Sequence, residues 1–154
     1  MRETISTPVG EIVLDASERG LRACSTWKKR ELGPDDSRAA KRHLEQAREA
    51  LGEYFRGRRS SFEELSLAPD GTPFQLAVWA GLRKIRHGTA WSYAELARRI
   101  GRPGAFRAVG GANAKNPIGI IQPCHRVVGS NGALVGFAGG LPMKAWLLRH
   151  EGVI

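Results

Sequence analysis

Acidic residues are scarce in one half of this chain. Residues 67–154 carry 11 Lys/Arg but only three Asp/Glu, a balance of +8. Residues 1–66 carry 13 against 12, a balance of +1. A uniformly basic composition would raise both halves, so the positive field belongs to the second. Such a field concentrates polyanions, and nucleic acid is the commonest of these in a cell. Cysteine is rarer still. Cys24 and Cys124 lie far apart, which excludes a disulfide scaffold and points to a reducing, cytoplasmic setting. Long apolar runs are missing: nothing approaches the ~18 residues of a membrane span, so no membrane partner is expected. Arg2 and Glu3 lead into a mixed polar segment rather than a signal peptide. His43, His87, His125, His150 and the two cysteines show no paired ligand spacing, and no phosphate-loop pattern occurs. Neither a metal nor a cofactor is expected.

What is present fits a small α+β protein. Thr4-Ile5-Ser6, Glu11-Ile12-Val13-Leu14 and Gly20-Leu21-Arg22-Ala23-Cys24 are short runs bounded by turn residues. They predict a small antiparallel meander with Cys24 in its core. After the Gly33–Ser37 break, Ala40, Leu44, Ala47, Leu51 and Tyr54 repeat at helical spacing, and this helix is expected to end near Gly57. A short strand is expected at Phe62–Leu67. These elements make a first domain, residues 1–66. Residues 67–154 read as a mostly helical second domain. Thr72-Pro73 starts a helix continued by Phe74, Val78, Leu82 and Ile85. Ser92-Tyr93-Ala94-Glu95 is a capping box, and Gly101-Arg102-Pro103-Gly104 separates its helix from Ala105–Asn113. Two short helices with a tight glycine turn outline a helix-turn-helix. A final helix runs from about Pro142 to His150, with Gly152 as its stop. Trp79, Trp91 and Trp146 are expected in the core.

Two segments carry chemistry. The second helix of the pair presents Ala108, Gly110 and Gly111, small residues that suit either close packing on a neighbouring helix or approach to a narrow minor groove. Arg98, Arg99 and Arg102 around it favour DNA. The run Ile120-Ile121-Gln122-Pro123-Cys124-His125-Arg126-Val127-Val128 places a thiol beside an imidazole and directly after a proline. A cysteine in an apolar run is usually inert. Here a base adjoins it, and a thiol becomes a good nucleophile when a base takes its proton. On an extended segment His125 and Cys124 would face opposite ways. Their cooperation then requires a turn at Pro123 or a bridging water. A third group must hold the imidazole. Of the acids after residue 66, Asp70, Glu95 and Glu151, the capping box engages Glu95, which leaves Glu151 as the candidate.

With these residues in hand, the chain resembles the O6-alkylguanine-DNA alkyltransferases. The resemblance rests on Gly71-Thr72-Pro73-Phe74-Gln75, Ser92-Tyr93-Ala94-Glu95-Leu96-Ala97, Arg107-Ala108-Val109-Gly110, Pro123-Cys124-His125-Arg126-Val127-Val128 and Gly139-Gly140-Leu141. It implies direct-reversal repair: a one-time, irreversible transfer of an alkyl group from O6-alkylguanine, with O4-alkylthymine as a further substrate, to Cys124. It implies that the second helix enters the minor groove of double-stranded DNA and that the damaged base flips into a pocket. By the same resemblance, His125 takes the thiol proton through a water, Glu151 partners His125, and Asn116 braces the turn. Tyr93 helps extrude the nucleotide and neutralises charge at guanine N3, and Arg107 fills the gap. Arg102, Ala108, Gly110, Gly111 and Asn113 join the DNA surface. Val127, Val128, Phe137, Ala138 and Gly139 form the pocket. The implied assembly is a monomer, with cooperative binding along DNA open. Gln122 departs from the family's branched apolar residue, and Phe137 and Ala138 stand where some members have Tyr and Ser. The alternative is an alkyltransferase-like protein that binds lesions without repair; that class has Trp in place of the cysteine.

Overall fold

Alternating polar and apolar residues at the start of the chain build a three-stranded antiparallel sheet in the order β1 (Arg2–Thr7), β2 (Gly10–Ser17), β3 (Gly20–Ser25). The computed structural model describes residues 1–26 and 32–154. In β2, Ile12, Leu14 and Ala16 are fully buried, which is the period-two signature of a sheet with one covered face. The cover is α1 (Arg38–Phe55), which Ser37 caps by accepting a hydrogen bond from the Ala40 amide. Ala40, Leu44, Ala47, Leu51 and Tyr54 lie along its buried side, as their spacing predicts. Cys24 is 1% exposed in β3 and belongs to this core. The strand expected at Phe62–Leu67 does not form. A single parallel bridge joins Leu21 to Leu67, and Ser66 and Ala68 supply its backbone hydrogen bonds. Phe62 and Leu65 instead turn their side chains into the core. These elements make one compact unit, Met1–Asp70.

The second unit, Gly71–Ile154, is built on α2 (Pro73–Leu82). Its start is a full capping box: Thr72 accepts from the Gln75 amide, and the Gln75 side chain accepts from the Thr72 amide. Gly71 sits beneath this cap, where a Cβ would come within 2.6 Å of the Trp79 ring. Residues 91–92 form β4, then α3 (Tyr93–Arg99) and α4 (Phe106–Ala114) follow with Gly101 in the left-handed region between them. Ser92 caps α3 through the Glu95 amide, but the reciprocal half of the box is replaced. The Glu95 carboxylate accepts from Arg98 and Arg99 at 2.7–3.0 Å instead. The Trp79 indole donates to the Ala112 carbonyl at 2.8 Å and ties α4 to α2. β5 (Val127–Val128) pairs in parallel with β4, and α5 (Leu141–His150) closes the unit, with Gly152 at φ 79° just beyond it. Trp79 is a core residue, whereas Trp91 and Trp146 are half-buried. No helix among the described residues is long and apolar enough to cross a membrane.

Candidate active site

The thiol sits on a turn, not on an extended strand. Cys124–Arg126 form one turn of 3-10 helix, which Pro123 introduces. This curls His125 away from the alternating geometry of a strand. The approach is strained: Ile120 holds φ at 69° while only 2% exposed, and a β-branched residue reaches that region only when its surroundings force it. Asn116 does much of the forcing. Its side chain accepts from the Ile118 amide at 3.1 Å and donates to the Gln122 carbonyl at 2.8 Å, so it clamps both ends of the strained segment. The Gln122 amide donates to the same Asn116 oxygen at 2.7 Å. The polar group at position 122 is thus spent on bracing the turn rather than facing the sulfur.

The two residues that follow the thiol are both bonded to one carboxylate. The His125 ring is wholly buried and its Nε2 lies 2.8 Å from Glu151 Oε2. Arg126 donates to both Glu151 oxygens, at 2.7 and 3.0 Å, and to the Ile85 carbonyl at 2.6 Å. Burial pushes the Glu151 carboxyl up, but the hydrogen bonds and charge of His125 and Arg126 outweigh it and hold the group below the ordinary carboxylate range. A fixed carboxylate makes Nε2 the protonated nitrogen. Burial also holds the imidazole below its ordinary value, against the pull of Glu151, so it is neutral at pH 7. Its other nitrogen, Nδ1, is buried without a hydrogen-bond partner among the described residues. A neutral imidazole with one nitrogen pinned and the other free is a positioned proton acceptor.

The sulfur does not rest as a thiolate. Cys124 is 3% exposed, and burial pushes its thiol up to about 11, against the smaller opposing effects of an Asn116 hydrogen bond and the Lys144 charge. A proton must therefore leave as the sulfur reacts, rather than beforehand. Tyr93, Val127 and Phe137 pack in the same cluster as Cys124. The Tyr93 hydroxyl donates to the Val135 carbonyl at 3.3 Å, and burial raises its pKa, which keeps the phenol a donor.

The other expected site residues divide between two surfaces. Arg102, Arg107, Ala108 and Gly111 are exposed on the helix pair; Gly110 is half-buried, its Cα facing the Tyr93 ring. Asn113, grouped with the DNA surface by resemblance, points inward: it is 6% exposed, and its amide donates to the Cys124 carbonyl at 3.4 Å. Val128 is buried, Gly139 half-buried and Ala138 exposed. Two further residues complete the site. Arg126, which the sequence places just after the thiol and its base, is one. Lys144 is the other: fully buried, it donates to the carbonyls of Val127 at 2.6 Å, Val135 at 2.9 Å and Gly136 at 3.1 Å. It joins the thiol turn to the loop that carries Phe137, and burial brings its pKa down to about 8. Its signal was present in the sequence, since a lysine at three and four residues before Leu147 and Leu148 falls on the buried stripe of α5. A cleft of about 510 Å³ lies elsewhere on this unit, lined by Lys84, Arg86, Thr89, Ala90, Trp91 and Arg99, none of them a thiol-site residue.

Comparison with known proteins agrees with this geometry. Residues 73–153 match the model of the 6-O-methylguanine DNA methyltransferase DNA binding domain, and residues 1–69 match that of its ribonuclease-like domain. The chain belongs to the 6-O-methylguanine DNA methyltransferase family. It is 46% identical to a methylated-DNA–protein-cysteine methyltransferase of Methanosarcina barkeri, over 97% of this chain and 95% of that one. A Shigella flexneri protein of the same name is 55% identical over 104 residues, which span 68% of this chain and 61% of the relative. A crystal structure of Mycobacterium tuberculosis OGT in complex with DNA superposes with a TM-score of 0.86 at 39% identity, covering 97% of this chain and 91% of that one.

Proposed function

We propose that this protein repairs DNA by moving an alkyl group from O6 of guanine onto Cys124, once per molecule. The observation that carries the chemistry is the orphan nitrogen of His125, on a ring whose Nε2 is pinned by a fixed Glu151. The thiol proton passes through a water to Nδ1, while Glu151 steadies the imidazolium that forms. The sulfur then attacks the O6-alkyl carbon. A C–S bond forms, the C–O bond breaks, and its electrons go to guanine. The Tyr93 hydroxyl, kept protonated by burial, neutralises the developing charge at guanine N3. The product is a thioether, whose C–S bond at a saturated carbon is not cleaved by water even with a base nearby, so the cysteine is not regenerated.

The DNA-facing part is the exposed side of α4, in the unit Gly71–Ile154. Ala108 and Gly111 give it a low profile suited to a minor groove in duplex DNA, with Arg107 at its leading end and Arg102 beside it. Arg107 fills the space of the flipped guanine, which Val127, Val128, Phe137, Ala138 and Gly139 receive. The protein acts as a monomer. A lesion sensor without transfer is the weaker reading, because an acceptor thiol and its base are both in place.

Incubation with duplex DNA carrying O6-methylguanine should add one methyl mass to the intact protein, on Cys124. An unmodified mass from folded protein would overturn the proposal.

A further inference from the structure

Phe106 is an exposed aromatic residue at the start of a helix. It opens α4, and at 48% exposed it is among the few large apolar side chains that the fold leaves in solvent. A single exposed apolar side chain is ordinary on a protein surface, and only its setting gives it meaning. Its setting says which partner. Arg107 follows it, with the guanidinium 5.9 Å from the ring centroid. Successive helical residues diverge by about 100°, so this proximity means that both side chains leave the helix end together. Neither Arg107 nor Arg102 has an ion-pair partner among the described residues. The first turn of α4 contains no acid, and its N-cap, Ala105, offers no side-chain hydrogen bond. The peptide donors at this helix end are therefore also open to an anion. An exposed ring beside an arginine without an ion-pair partner, at a helix end with free amide donors, fits a base step of DNA: phosphates meet the charge and a base meets the ring.

We infer that Phe106 is an aromatic wedge, which enters the duplex beside Arg107 and unstacks the base step next to the damaged guanine. Apolar side chains inserted from the minor groove break stacking in this way. The wedge lowers the barrier to extrusion, and the Arg107 guanidinium occupies the gap afterwards. The inference rests on the repair reading above and adds a further residue to the flipping step, beside Tyr93 and Arg107. Phe106 is a positioning residue: it touches DNA but not the reacting atoms.

The test compares the rate of transfer from duplex O6-methylguanine with that from free O6-benzylguanine. Phe106→Ala should lower the ratio of these rates roughly tenfold, as expected for the loss of one base–aromatic contact. Phe106→Trp should restore it, and Phe106→Leu should restore it in part. A 2-aminopurine placed beside the lesion should brighten on binding the wild-type protein and stay dim with Phe106→Ala. Leu76→Ala, which removes another exposed apolar side chain (40% exposed), should leave the ratio unchanged. An unchanged ratio in Phe106→Ala, or an equal loss on both substrates, would overturn the wedge while leaving repair intact. A wild-type protein that accepts no methyl at all would instead overturn the repair reading itself.

Discussion

Among the described residues each compact unit buries one carboxylate against arginine, and the two sites differ in what else the carboxylate holds. In the first unit Asp15 is 2% exposed, with Arg22 at 2.6 Å and Arg2 at 3.4 Å. Both partners are arginines, and both reach solvent. The group ties the central strand to both of its neighbours and leads nowhere. In the second unit Glu151 holds Arg126 in the same manner but also holds His125, whose far nitrogen is left unpaired in the interior. One site ends in satisfied hydrogen bonds and the other ends in an acceptor. Surrounding charge separates the units too. Residues 1–70 carry 13 Lys/Arg and 13 Asp/Glu, whereas residues 71–154 carry 11 and two. Both acids of the second unit, Glu95 and Glu151, are bonded to arginines, so the free charge there is cationic.

The comparison can be broken most sharply at the sulfur. Cys124→Ala should abolish transfer completely, read as the absence of any added methyl mass, while DNA binding persists. Next comes a pair of carboxylate removals. Glu151→Ala strips a buried arginine and histidine of their partner, which should cost about 3–5 kcal/mol in urea unfolding and at least a hundredfold in transfer rate. Asp15→Ala should cost about 1–3 kcal/mol, because its arginines can turn to water. Its transfer rate per folded molecule should match wild type; a comparable loss in both variants would erase the distinction drawn here. A smaller effect belongs to Arg107→Ala, which should slow duplex repair roughly tenfold relative to free O6-benzylguanine.

The smallest effect is on pH dependence. His125 is held below its ordinary value, so just below pH 6.5 the unfolded chain binds a proton that the folded protein refuses. Stability therefore falls as pH falls. The loss should appear between pH 7 and 5.5 as a falling midpoint in urea titrations. His125→Gln should flatten that slope, and an unchanged slope would place the imidazole outside the buried pairing with Glu151.

Legibility in the sequence followed locality. The periodic face of α1, the Thr72-Pro73 start, the Ser92 cap and the pairing of His125 with Glu151 each depend on a short pattern or on the small number of acids available, and each forms. The residues from 62 to 67 were apolar enough for a strand, yet strand formation needs a partner edge, and only Leu67 finds one. The turn at Cys124 was left open by its sequence because an apolar run does not distinguish a strand from a tight turn clamped at a distance. That clamp is Asn116, whose bonds are tertiary. Glu95 matched a capping box, but two arginines on its own helix offered charged donors, which bind a carboxylate more strongly than a backbone amide does. Lys144 went unnoticed, and the bond of Arg126 to Glu151 was not foreseen, because long cations are mostly exposed and only the packed structure shows them satisfied inside.

The burial of Cys124 has one further consequence. An alkyl group joined to that enclosed sulfur by a C–S bond at saturated carbon is not removed by water, so the site lacks any means of resetting itself after a transfer. Defence against alkylation then becomes a matter of inventory: each molecule cancels one lesion and is retired. Protection would hold until damage outnumbers the copies on hand and then fail abruptly, so the rate of protein synthesis, rather than any rate constant of the site, governs recovery.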